Sequence, residues 1–368
     1  MKNVTLMHFL LGCRFDVLLK LFRDNDFRIT PKKLPQAALI SAVSLGLFIP
    51  AVLEEAFCSA FVYPKKMKES PVFILGHWRS GTTYLQNLLS MDENFAYFDP
   101  VTTYTNNNSL FLHKPIYNVQ KDKISQSRPM DDLDYEADSP SEECFAVANR
   151  CTDNIVHIMA FPENAAHYID YVSLADKDSK KRNNWCRAYY KVMRKTAFIN
   201  KEKRLLVKSP DNTSHIREIL KIYPDAKFIH ICRNPYKVIT STVNMFEMGS
   251  EFLSLQNIPS HKDTAENAVN LYKKLYTRYF NDRNLIPEGN LYEIKYEDFV
   301  KTPLQHIKNI YDNLGIDGYE EALPRFEEYT ESLKDYKASS KDPEEYIKNL
   351  IDENLGFAFE KFGYDSSH

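Results

Sequence analysis

The run Gly76-His77-Trp78-Arg79-Ser80-Gly81-Thr82-Thr83 combines residue types and a spacing that suit anion binding. Its two glycines are separated by four residues, as in a phosphate loop, where backbone N–H groups wrap an anion at a helix N-terminus and the helix dipole adds positive potential. A nucleoside-triphosphate loop continues with Lys and then Ser or Thr. Here Thr82 and Thr83 occupy those places, and Arg79 lies inside the loop. Two hydroxyls and an internal cation suit a phosphate joined to a sulfate better than a magnesium-bound triphosphate. The plain alternative is an ordinary tight turn between strand and helix.

A second set of residues has matching chemistry. Arg233 follows the apolar run KFIHIC, and Ser241 stands eight residues on, about two helical turns along the next helix. A guanidinium and a hydroxyl so placed converge on one phosphate, with Arg supplying a bidentate fork. Lys208 ends the run LLVK, directly before Ser209-Pro210, and is expected to point into the same crevice as Arg79. Glu142 and Glu143 follow Pro140 at a predicted helix start within residues 128–149. Attack by a hydroxyl, whose pKa lies far above 7, benefits from a positioned base, and these carboxylates offer one. They could equally be helix N-terminal acids favoured by the dipole. His113 and His157 are lesser candidates, since a lone histidine is more often structural.

These residues need elements to hold them. VFILG (72–76) reads as a buried parallel strand, and residues 81–91 carry helical apolar spacing. LLVK (205–208), KFIHIC (227–232) and LYEIKY (291–296) read as further strands. Helices are predicted near 141–151, 183–199, after SPDNT (209–213) to about Tyr223, from Pro235, and over 264–283, 303–314 and 343–360, while 97–140 reads as loop. Strands alternating with helices imply an α/β fold with a central parallel sheet covered on both faces. Ligands of such sheets bind beyond the strands' C-terminal ends, where Arg233 and Lys208 stand.

Before this unit lies an N-terminal helical region. The division expected is 1–66 for that region and 67–368 for the α/β domain. Residues 34–53 carry no charge for twenty residues, and AFCSAFVY follows Glu54 and Glu55. The stretch is long enough to span a bilayer. However, Pro50, Gly46, Gln36 and two serines dilute it, and Lys2, Arg14, Lys20, Arg23, Arg28, Lys32 and Lys33 would hold the N-terminus in the cytoplasm. One crossing would then carry the rest of the chain away from a cytosolic nucleotide. A span, a helical hairpin docked on lipid and a core or acceptor-pocket helix all remain open readings of 34–63.

Composition narrows the function classes. A net charge of −3 gives no basic footprint for nucleic acid. At 43% hydrophobic and 26% charged, the chain is globular rather than disordered. Six cysteines without a CxxC pair or metal-ligand spacing read as free thiols of a cytoplasmic protein.

The two motifs together bear a family likeness. GHWRSGTTYL resembles the 5′-phosphosulfate loop of sulfotransferases that use 3′-phosphoadenosine 5′-phosphosulfate (PAPS), and CRNPYKVITS resembles their 3′-phosphate motif. The likeness is greatest to the bacterial branch related to tyrosylprotein and carbohydrate sulfotransferases. It covers about 71–315, and more weakly the C-terminal EKFGY. The resemblance implies a three-layer P-loop-like fold, PAPS as donor with adenosine 3′,5′-bisphosphate (PAP) as product, and a small-molecule acceptor. It places the donor on Arg79, Ser80, Gly81, Thr82, Thr83, Tyr84, Arg233 and Ser241, and the chemistry on Arg79, Lys208 and Glu142, with Glu143 as second candidate for the base. In the related pattern Pro-Gln-Glu-Asp-Glu-Phe-Ala, Glu142 matches the first acid and Glu143 the Asp, while Cys144 replaces the final Glu. His77-Trp78 departs from the usual loop, and the C-terminal Arg-Lys-Gly motif of hormone-type sulfotransferases is absent. No metal is expected to be required, because the sulfuryl group carries one negative charge. The apolar 34–63 stretch and 23 Tyr with 23 Phe lean toward a sterol, lipid or other amphiphile, with a carbohydrate or another hydroxyl or amine compound as alternatives. A small-molecule kinase and a non-catalytic nucleotide-binding protein are the rival classes. Peripheral association through 34–63 would place the enzyme at the cytoplasmic face of a membrane.

Overall fold

The computed structural model describes residues 8–124, 126–127, 134–334 and 342–366. Lys2, counted above among the N-terminal cations, and residues 128–133 of the acidic segment lie outside them. Five strands form one parallel sheet: β1 (Val72–Leu75), β2 (Phe95–Ala96), β3 (Arg204–Lys208), β4 (Lys227–Cys232) and β5 (Leu291–Lys295), in the order β2-β3-β1-β4-β5. Every residue of β1 is buried, as a strand covered on both faces requires. Its side chains alternate between two cores. Phe73 and Leu75 join Val207 and Phe228 on one face, while Val72 and Ile74 join Leu206 and Ile229 on the other. Each such side chain contributes about 1.5–3 kcal/mol of transfer free energy.

The second face is closed by helices Thr82–Leu89, Pro303–Leu314 and Tyr319–Ser332, and the first by several including Ser179–Ile199 and His261–Asp282. The three-layer arrangement expected from strand–helix alternation is therefore present. One reading is corrected. Residues 97–140, expected to be loop, contain helices Pro100–Tyr104 and Ser109–Ile124 with a 3-10 turn over three buried asparagines between them. The first has a local signal, Asp99 accepting from the Thr102 N–H at 2.8 Å with Pro100 at the first turn. The second is capped from afar: the Glu54 carboxylate accepts from the N–H groups of Leu110 and Phe111 at 3.1 and 2.9 Å. A cap more than fifty residues upstream leaves no trace in local sequence. Tyr319–Ser332, with Pro324 inside it, was not anticipated either.

Ahead of the sheet, helix Phe15–Asp24 precedes a pair, Leu34–Gly46 and Phe48–Phe61, bent by 46°. Among the described residues no single helix is long and apolar enough to cross a membrane, and only this bent pair passes on length and composition together. Phe9, Leu18, Leu21 and Ile40 share the buried cluster that includes Phe73 and Trp78. The pair is pinned by a fully buried salt bridge, Lys195 to Glu54 at 2.6 Å, whose ammonium also donates to the Asn106 carbonyl.

Removing one partner of a buried ion pair strands the other charge, at a cost of about 3–5 kcal/mol. Lys195→Met is therefore expected to lower unfolding free energy by about that amount, read from the urea midpoint at constant m-value.

Candidate active site

β1 has β3 on one side and β4 on the other, with Ile74 opposite Lys208 and Leu75 opposite His230. The residues just past these strand ends must therefore share one crevice. Past β1 the chain turns through 76–81 into helix Thr82–Leu89. Gly76 and Gly81 have φ of 146° and 100°, and Arg79 itself is left-handed at 67°. The glycines are also short of room. A Cβ on Gly76 would lie 2.5 Å from the Ile231 carbonyl oxygen, and one on Gly81 would lie 2.3 Å from the Tyr296 ring. The turn is held from below: the Gly76 N–H donates to Thr213 Oγ1 at 2.8 Å and the His77 N–H to the Tyr276 hydroxyl. Ser80 is buried and its hydroxyl donates to the His77 carbonyl, so it braces the turn. Gly81 caps the helix without a side chain, and the first amides of a helix have no acceptor within it. Such a turn fits an anionic group.

The two motifs meet. Arg79 Nε donates to Ser241 Oγ at 2.9 Å, and Arg233 Nη1 donates to the Arg79 carbonyl at 3.3 Å. The Arg233 guanidinium lies over the Tyr296 ring, 4.3 Å from its centroid. Arg79 thus leans toward the second motif, although Lys208 also ends its strand in this crevice. Lys208 is buried, and its ammonium donates to Glu142 Oε1 at 2.6 Å and lies 3.5 Å from Thr83 Oγ1. One chain of contacts therefore runs from Arg233 through Arg79 to Ser241, and another from Thr83 through Lys208 to Glu142.

The two neighbouring carboxylates part company. Glu142 keeps 21% side-chain exposure and lines a narrow, largely apolar cavity. Among the described residues Glu142 is the one charged side chain on its wall; Trp78, Phe145, Ile155, Met159 and Phe246 are among the rest. Glu143 is fully buried and does not reach that wall. It accepts from Ser209 Oγ at 2.8 Å, from the Tyr189 hydroxyl at 3.1 Å and from the Asn212 amide. Burial raises its pKa against the opposing pull of those donors. Cys144, where the related pattern has an acid, is buried with its sulfur 3.9 Å from Glu142 Oε2.

Other candidates stand apart. Tyr84 packs its ring on Phe299, and burial pushes its phenol up to about 12. His157 is fully buried, bonds the Cys151 carbonyl and is held neutral, its pKa lowered to about 4 by desolvation. His113 pairs with Asp99 at 3.3 Å. Neither histidine lines the cavity. Sequence reasoning missed Tyr296 beneath Arg233 and the cavity wall from Phe145 to Phe246, because no spacing rule links segments so far apart in the chain. Trp78 was noted only as a departure within the loop. All six cysteines are free, and among the described residues no group of three His, Cys, Asp or Glu is placed to hold a metal.

Comparison with known proteins gives the site a context. A family model described as "Sulfotransferase family" matches residues 71–321. The chain is 27% identical over 359 residues to the omega-hydroxy-beta-dihydromenaquinone-9 sulfotransferase Stf3 of Mycobacterium bovis, covering 96% of this chain and 90% of that protein. The Mycobacterium tuberculosis protein of the same name matches equally. In fold, it is similar to sulfotransferase STF9 from Mycobacterium avium, with a TM-score of 0.67, 17% identity and coverage of 99% and 98% of the two chains. STF1 from Mycobacterium tuberculosis H37Rv gives 0.63, 18%, 92% and 90%.

Stranding buried donors costs about 1–3 kcal/mol each, whereas an isosteric amide keeps an acceptor in place. Glu143→Leu is expected to destabilise the fold by about 3 kcal/mol or more, and Glu143→Gln by about 1 kcal/mol or less, in urea unfolding at pH 7.

Proposed function

This chain belongs to the sulfotransferase family, and from that premise we propose that it transfers the sulfuryl group of PAPS to the hydroxyl of an apolar, lipid-like acceptor with Glu142 as base. That it is an enzyme of sulfuryl transfer follows from the family, and PAPS is the donor the family implies. The observation that carries the finer reading is the position of Glu142. Among the described residues it is the single charge on an otherwise apolar cavity wall, and its carboxylate is bonded to Lys208 in the crevice of the phosphate loop.

The donor brings an activated sulfuryl group joined to a 5′-phosphate. The helix-start amides with Thr82 and Thr83 suit the phosphosulfate end, while Arg233 and Ser241 suit the 3′-phosphate. Arg79, bonded to Ser241 and bridged through its carbonyl to Arg233, adds a cation shared by both. Ser80 braces the turn, and Tyr84 packs beside its helix, so both would support the donor site through the backbone. Glu142 takes the acceptor's hydroxyl proton while the new oxygen–sulfur bond forms and the old one breaks. Lys208 orients Glu142 and neutralises charge gathering on the departing oxygen. Glu143 acts as a positioning residue, tying the start of helix Cys144–Ala148 to Ser209 and Asn212 just past β3. With these cations present and one charge on the sulfuryl group, turnover is expected to need no metal and to persist in EDTA.

An apolar wall favours the acceptor class. A sugar seated there would leave hydroxyls without partners, at about 1–3 kcal/mol apiece. Stf3, at 27% identity, is named for a hydroxylated menaquinone, which supports the same class. In this reading residues 67–368 form the catalytic unit and 1–66 serve acceptor access.

Glu142→Gln is expected to lower turnover by about 10²–10⁴-fold while PAP still raises the melting temperature. Lys208→Met should cost about 10²–10³-fold in turnover, and Arg233→Met should weaken PAP binding by about 10–100-fold in calorimetry. Radiolabelled sulfate from PAPS should enter an omega-hydroxylated polyprenyl quinone. Label entering only water-soluble sugars would overturn the acceptor assignment.

A further inference from the structure

Residues 34–63 contain two charged side chains, Glu54 and Glu55, and both are turned into the protein. Glu54 is fully buried against Lys195, and Glu55 pairs with Arg150 and Lys191. The polar groups of the first helix turn inward too, Ser44 donating to the Cys13 carbonyl and Gln36 to the Phe252 carbonyl. The outward face is apolar: Leu39, Leu45, Ile49, Leu53, Phe57 and Phe61 are all exposed, Ile49 at 69% and Leu53 at 62%. Phe111, 5.7 Å from Phe57, extends the patch onto the neighbouring helix. This is the reverse of a surface helix in water, which buries its apolar stripe and exposes its charges. A contiguous apolar face of this kind marks a contact with something else apolar.

We propose that the outward face of Leu34–Gly46 and Phe48–Phe61 lies in the surface layer of a lipid bilayer bearing anionic headgroups. Two observations favour a bilayer over a second copy of the chain. Exposed lysines bracket the pair in sequence, Lys32 before it and Lys65, Lys66 and Lys68 after it, which complements anionic lipid. Moreover, Ser59 is the one hydroxyl residue classed as exposed across the pair, whereas a protein interface needs a hydrogen bond per 100–200 Å² or so. The inner faces are committed to the protein by the Glu54–Lys195 bridge, so the pair rests in the interface rather than crossing it.

The inner side of the pair borders elements that line the cavity. Lys33 and Gln36 bond the Glu251 and Phe252 carbonyls at the end of the helix carrying Phe246, and the turn Phe9–Gly12, which packs on the first helix of the pair, sets Phe9 against Phe145. A lipid-like acceptor would thus enter from the bilayer without crossing water. That consequence rests on the acceptor class proposed above; the bilayer contact does not.

The test is flotation of the full chain with phosphatidylcholine vesicles, with and without phosphatidylserine. The chain should float with both and more strongly with phosphatidylserine, and I49E/L53E should lose about tenfold or more of that affinity. Stabilisation by PAP reports that the variant is folded; if it is lost, I49S/L53S is measured in its place against the same outcomes. The proposal is overturned if the chain stays unbound with phosphatidylserine vesicles, or if the folded variant floats as well as the parent. It is equally overturned if sedimentation velocity shows a dimer that the variant abolishes while vesicles bind neither. No outcome depends on turnover, so the acceptor assignment and the bilayer contact can fail separately.

Discussion

Adjacent parallel strands run about 4.8 Å apart, and that spacing governs the site of this protein. With β1 between β3 and β4, a loop, a lysine and an arginine drawn from three distant stretches emerge side by side. The strands meet because their apolar residues must be covered on both faces, so core packing and site assembly are one event. The turn after β1 has little freedom in this setting. Ile231 and Tyr296 press on Gly76 and Gly81, leaving no volume for a side chain.

Charge is distributed with the same economy. Arg79 and Arg233 gather at the Ser241 side, and Lys208 at the Thr83 side, where it pairs with Glu142. Desolvating an ion pair is costly, but Glu142 is partly exposed and keeps contact with water. Glu143, one residue on, is the opposite case: buried, with three side-chain donors and its ionised form disfavoured. Two adjacent acids are thereby given different environments, one accessible and one internal.

The N-terminal layer inverts the usual partition of polar and apolar groups. Its carboxylates supply a cap and two sets of ion pairs to the protein, while its leucines and phenylalanines face outward. The capping of Ser109–Ile124 by Glu54 ties this layer to a helix that starts more than fifty residues further along the chain. The proposed bilayer contact and the proposed lipid-like acceptor are both consistent with the apolar cavity wall.

Local pattern determined a good deal here. Short apolar runs bounded by turns announced four of the five strands of the sheet, though not the two-residue edge strand Phe95–Ala96; Gly76 and Gly81 with Arg79 between them announced an anion-binding turn; Pro235 marked a helix start. Each rests on contacts within a few residues, so periodicity and turn chemistry record it. Only the folded chain decided that Glu142 faces the cavity while Glu143 does not, that Tyr296 underlies Arg233, and that a carboxylate at position 54 caps a helix beginning at 109. It also decided which side of the 34–61 helices meets solvent, since a nearly uniform apolar run has no stripe of its own to orient it. Those outcomes depend on contacts between segments far apart in sequence, which exist only once the sheet has set the strand order.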